Sequence, residues 1–127
     1  MAEFRMDPLK PVDIDIMADT PAVFRFIAQK RVPGRDFREF ATSADWGREN
    51  LTRYSFELLP PVRPYTDLRI YFLMDGAANH PTRIKVAFSQ NGKLLGDPIV
   101  CEGMIGGDDS VVFAKAEGTL VDTVRAT

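Results

Sequence analysis

Along most of the chain, apolar and polar residues alternate one by one. In VDIDIMAD, Val12, Ile14 and Ile16 fall on one side and Asp13 and Asp15 on the other. In AVFRFIAQ, Phe24 and Phe26 flank Arg25, and in LTRYSFELL, Tyr54, Phe56 and Leu58 oppose Arg53, Ser55 and Glu57. TRIKVAFSQ repeats the pattern, with Ile84, Val86 and Phe88 against Arg83, Lys85 and Ser89. Successive side chains of a strand point to opposite faces, so this period of two predicts strands with one buried and one wet face. No comparable helical stripe runs through the sequence.

DLRIYFLMD departs from the pattern. Leu68, Ile70, Phe72 and Met74 make one apolar face, but Tyr71 and Leu73 make the second face apolar too. A strand apolar on both sides belongs at the centre of a sheet, covered twice, or turns its outer face to a partner. The double cover is the expectation.

The turn signals divide these runs. Asn91-Gly92 sits between two β-type stretches, and a type I′ turn needs positive φ at both central positions, which Asn and Gly adopt at least cost. Residues 82–90 are therefore expected to pair antiparallel with a strand starting at Lys93. LGDP then interrupts that strand, since Pro98 cannot donate to a ladder. The loop DGAANHP has hairpin length, so residues 67–101 read as a three-strand meander. PPVRP at 60–64 is stiff and extended, and suits a crossing between sheets. Residues 1–10 read as a flexible N-terminal segment. Residues 30–50 read as an irregular recognition segment, with a short strand in DFREFAT, a turn of helix capped by Ser43, and Trp46 beside it.

Seven or eight short strands with Pro/Gly punctuation predict an all-β fold: a two-sheet antiparallel β-sandwich, immunoglobulin-like or jelly-roll-like. A small closed β-barrel is the alternative, disfavoured by the proline-rich crossing. The 127 residues are one domain's worth, long enough to bury a core without disulfides. A formal net charge of −2 sets up no field for nucleic acid or an anionic membrane. Arg31, Arg35, Arg38, Arg48 and Arg53 are interleaved with Asp36, Glu39, Asp45 and Glu49, which favours local ion pairs over a basic patch. One cysteine makes no internal disulfide, and neither a signal peptide nor a membrane-length apolar run is seen. A soluble cytoplasmic protein is expected, with a processed secreted one as the other possibility.

Catalytic groups are sparse. His80 is the sole histidine and Cys101 the sole cysteine, too few for a hydrolytic zinc site. Cys101 lies in phase with Ile99 on a strand, where a buried, inert thiol is the common outcome. There is no nucleophile elbow, dinucleotide fingerprint or P-loop. Asp13 and Asp15 share a face but read as solvated surface acids. In MIGGDDSVVF, Asp108 and Asp109 are the one weak metal candidate, but two carboxylates fall short of the six or more oxygens calcium takes. The glycines with Asp and Ser make a turn without a metal. No cofactor is expected, and no motif is specific enough to carry a family name.

The expectation is therefore a non-enzymatic module that binds a protein partner or copies of itself through sheet edges and the 30–50 segment. Trp46, Arg48, Tyr65 and Tyr71 are the binding candidates, being the residue types that anchor interfaces. A carbohydrate-binding module is the alternative, with Trp46, Tyr65 and an acidic turn at Asp108 and Asp109 converging on a sugar, helped by calcium. An enzyme with a non-standard site is the third reading. Saturating calcium should leave the melting temperature unchanged. A tight site at hundredfold excess over its dissociation constant would add about 2.7 kcal/mol, and a shift of that kind lost in Asp108→Asn with Asp109→Asn would overturn the turn reading.

Overall fold

The computed structural model describes residues 2–18, 23–46, 53–75, 81–104 and 112–123. Strands β1 (Ala2–Met6), β2 (Val12–Ala18), β3 (Val23–Arg31), β4 (Arg38–Thr42), β5 (Arg53–Leu58), β6 (Thr66–Asp75), β7 (Pro81–Gln90), β8 (Lys93–Leu94), β9 (Ile99–Met104) and β10 (Val112–Asp122) are joined by one 3-10 turn, Ser43–Trp46. They form two five-stranded sheets. The front sheet has the order β1-β10-β6-β3-β4, and the back sheet β5-β2-β7, with β8 and β9 both pairing β7. The chain is thus an all-β sandwich, and its sheets do not close into a barrel. All ladders are antiparallel except β1 with β10, which is parallel.

The alternation read from the sequence decides which face is buried. Val12, Ile14 and Ile16 of β2, Ile84, Val86 and Phe88 of β7, and Phe26, Ile70 and Phe72 of the front sheet are all nearly solvent-free. Aromatic rings bridge the sheets at both sides. Phe26 stacks on Phe56 at 5.3 Å and meets Tyr54 edge-on at 5.0 Å, while Phe4 meets Phe88 edge-on at 4.7 Å. A Cβ at Gly118 would lie 2.6 Å from the Phe4 ring, so the glycine makes the hollow that admits Phe4.

Asn91 and Gly92 have φ of 51° and 79°, as a type I′ turn requires, and the hairpin continues into Ser89↔Leu94 and Gln90↔Lys93. The ladder then breaks at 95–98 and resumes with β9, so β8 and β9 are one edge strand interrupted as the proline predicts. The stretch 60–64 does carry the chain from β5 in the back sheet to β6 in the front sheet.

Three expectations are corrected. The three-strand meander does not form, because β6 and β7 lie in opposite sheets; only β7, β8 and β9 make a hairpin. The N-terminal segment is not free: residues 2–6 are β1, held by the burial of Phe4 and Met6. Its turn is clasped by Gln90, itself 7% exposed, whose amide accepts from the Asp7 N–H and donates to the Asp7 and Lys10 carbonyls. In the 30–50 segment the strand expected in DFREFAT forms as β4 and the expected helical turn as Ser43–Trp46, so its described part is regular rather than an irregular loop. Val32 to Arg35 closes a turn with Pro33 then Gly34 at φ 81°, and β4 pairs β3 with Phe40 as an extra, bulged residue. The Ser43 hydroxyl accepts from the Phe26 N–H at 3.2 Å, so it ties the turn to β3.

Gly92→Val forces a β-branched residue to positive φ, with a cost of about 1–3 kcal/mol expected in chemical denaturation. A variant as stable as the wild type would show that the turn does not need its left-handed residue.

Candidate functional site

With Phe26, Leu68, Ile70 and Phe72 facing the core, the odd-numbered residues of β3 and β6 stand on the outer face of the front sheet. The ladders place them in rows: Asp67 beside Arg31, Arg69 beside Gln29, Tyr71 beside Ile27, and Leu73 beside Arg25. β10 adds Thr119, Glu117 and Lys115 to the first three rows, and β4 adds Glu39 and Thr42.

The two ends of this face differ in chemistry. At the polar end, the Arg31 guanidinium donates to the Asp67 carboxylate at 2.7 Å, and the Thr119 hydroxyl donates to the same carboxylate at 2.7 Å. Arg69 donates two hydrogen bonds to Gln29 Oε1, at 2.8 and 3.0 Å, and its guanidinium lies over the Phe37 ring, 3.7 Å from the centroid. Arg31 covers the same ring at 4.5 Å, and Lys115 pairs with Glu117 at 2.6 Å. Burial pushes the Asp67 carboxyl up, but the hydrogen bonds from Thr119 and Arg31 and the Arg31 charge outweigh it and hold the group below its ordinary range. The hydrogen bond from Lys115 likewise lowers Glu117. Positive and negative groups at this end answer one another within the chain.

At the other end the face is apolar. Ile27 is 44% exposed and Leu73 42% exposed, next to half-buried Tyr71, on the two strands at the middle of the sheet. These residues, with Arg25, Thr42, Ser43 and Ala44, line a shallow groove of about 380 Å³. The 3-10 turn forms one wall of it. β6 is therefore central as expected, but its second apolar face is not buried: Tyr71 is half-covered, with the Arg69 guanidinium 5.1 Å from its ring, and Leu73 is exposed, which corrects the doubly covered strand.

Of the binding candidates, Tyr71 lies in this groove, and the backbone of Trp46 ends the turn that walls it. Arg48 lies outside the described residues, as do Asp108 and Asp109. Tyr65 is 57% exposed with φ 67°, its N–H donating to the Leu120 carbonyl, at the opposite end of β6. At the rise of a strand it stands on the order of 20 Å from the groove. Trp46 and Tyr65, two parts of the sugar-site expectation, are thus not brought together. Sequence reasoning named Leu73 only as part of a second apolar face and missed Ile27 and Arg25; the signal was Ile27 falling on the Arg25 side of its strand.

On the back sheet, Arg53 donates from Nε and Nη2 to the two Asp15 oxygens, each at 3.0 Å, and Ser55 donates to Asp15 at 2.7 Å. Burial raises the Asp15 carboxyl, but these bonds and the Arg53 charge bring it below the usual value. Arg31 and Arg53 thus pair across strands, not with the acids interleaved beside them in sequence. Cys101 is half-buried on β9 with its thiol pushed up by burial, against the Lys115 carbonyl at 3.6 Å. Among the described residues no cluster of three His, Cys, Asp or Glu could hold a metal ion. No helix of the described residues is long and apolar enough to cross a membrane. In comparisons with known proteins, no family model, no curated protein and no solved structure matches this chain.

The lowered carboxylates set an acid limit to stability. Asp15 and Asp67 bind protons less readily folded than unfolded, so their contribution is full above the unfolded value of about 3.9 and is lost as pH falls through the lowered folded values. The melting temperature should drop with acidification below pH ~4, less steeply in Asp15→Asn with Asp67→Asn. Equal slopes would show that these pairs do not govern the acid limit.

Proposed function

We propose that the chain is a non-catalytic binding module that docks a protein surface on the outer face of its front sheet. The observation that carries this reading is the exposure of Ile27 and Leu73, diagonal neighbours on adjacent strands, with Tyr71 beside Ile27 at the centre of a sheet. Contiguous apolar surface rimmed by polar groups is the common mark of an interaction site. The rim here supplies Arg25 and Glu39, and an apolar centre with arginine and tyrosine matches the residues that dominate interface energies. The wall turn brings the Trp46 end of the 30–50 segment to the same place, so sheet face and segment serve one surface. The polar end, its charges already paired within the chain, sets the limit of the contact.

A photo-cross-linking residue in place of Leu73, used in extracts of the source cells, tests the reading. The expected result is a discrete protein adduct, absent when the cross-linker replaces Lys85 on the back sheet. Ile27→Glu should abolish the adduct and weaken binding of the recovered protein by about 2 kcal/mol or more, with melting unchanged. Adducts equal at both positions, or insensitive to Ile27→Glu, would overturn it, as would a melting shift with oligosaccharides and none with protein.

A further inference from the structure

The edges of the two sheets are not equally open. β4 is bulged where it leaves Ala28, and β8 is two residues long before the break at 95–98. Both are ways in which sheets discourage added strands. β9 is unbroken and as long as β5, but it lies against β10 of the front sheet, where the Cys101 thiol meets the Lys115 carbonyl at 3.6 Å. β1 and β5 are unbroken as well, and β5 is the longer of these two, pairing β2 without a shift from Arg53↔Met17 to Leu58↔Val12. Among the described residues nothing pairs its other side.

β5 also carries an imbalance that β1 lacks. Glu57 stands directly opposite Asp13, both on the outer face of the back sheet, and among the described residues neither forms an ion pair. Like charges directly opposite on adjacent strands are destabilising. On β1, Glu3 faces Thr119 and Arg5 faces Val121. What the Asp13 and Glu57 pair needs is a cation delivered from beyond the edge. Arg53, on the same face of β5, engages Asp15 through two of its N–H groups. A guanidinium has five such donors, so three remain.

We infer that β5 is a self-association edge: two copies join antiparallel about a twofold axis through Ser55, which sets Arg53 of each against Glu57 of the other. In that register the outer face reads Arg53, Ser55, Glu57 against Glu57, Ser55, Arg53, and each acidic pair gains a guanidinium. On the inner face Tyr54 meets Phe56 of the second copy, covering a ring that the monomer leaves half-exposed. The two back sheets become one continuous sheet, and the groove of the front sheet stays open in both copies. A six-residue edge buries less than the roughly 1,600 Å² of a standard interface, so the dimer is expected to be weak, in the micromolar to millimolar range.

Sedimentation velocity up to millimolar concentration, with cysteine trapping in a Cys101→Ser background, tests the edge and its register. Ser55→Cys should cross-link to itself under mild oxidation. Glu57→Cys should not, because the two copies of position 57 lie about 13 Å apart along the strands, but it should cross-link to Arg53→Cys. Glu57→Arg should weaken the dimer about tenfold while raising the melting temperature of the dilute monomer, since it removes the repulsion with Asp13. A role confined to the monomer's own stability would not separate those two readouts. A protein that stays monomeric at millimolar concentration, a dimer indifferent to Glu57→Arg, or Ser55→Cys trapping no faster than Glu57→Cys would overturn the inference. None of these variants touches the front-sheet groove, so failure here leaves the docking face to its own test.

Discussion

Parity is the constraint on which the rest of this molecule depends. Phe26, Ile70 and Phe72 are buried against the back sheet, and that burial locks β3 and β6 in register. A slip of one residue would carry every one of them into water. The cost of that slip, several fully buried large side chains at about 1.5–3 kcal/mol each, leaves no competing arrangement. Ile27, Tyr71 and Leu73 therefore stand outside because their neighbours must stand inside. Their own hydrophobicity has no vote in the matter, and the outer face inherits an apolar end.

The same lock gives that end its geometry. Two cross-strand rows fix the spacing between Leu73, Tyr71, Ile27 and Arg25, and the Phe26 N–H holds Ser43 and so the wall of the groove. A docking surface built on central strands is rigid before its partner arrives, which limits the entropy lost on binding. The polar end is equally fixed, by hydrogen bonds between ladders, and the contrast along one sheet face gives the surface a direction.

Much of this was legible in the residues. The alternation of Val12, Ile14 and Ile16, the Asn91-Gly92 turn, the break before Pro98 and the crossing at 60–64 are local signals with local causes. What was not legible depended on choices made between elements. A connection of hairpin length between Asp75 and Pro81 also suits a crossing between sheets, and the packing of β6 against β3 and β10 decided it. β1 was hidden because two apolar positions, Phe4 and Met6, are too few to establish a period; its hollow exists only once Gly118 and Phe88 are brought together. β4 was blurred by its bulge, which breaks the count of two at Phe40. The groove was half visible in the doubly apolar run of β6, but Ile27 acquires meaning only beside Tyr71.

The clasp made by Gln90 ties distant parts of the chain together. Its amide holds the turn after β1, while its backbone opens the Asn91-Gly92 hairpin. The N-terminal strand and the tip of that hairpin consequently form a single opening unit, although more than eighty residues separate them in sequence. Fraying of the first strand, ordinarily the cheapest motion at a chain end, here means breaking three hydrogen bonds of a buried side chain and emptying the socket of Phe4. The sandwich is fastened at the point where a sheet would otherwise begin to peel.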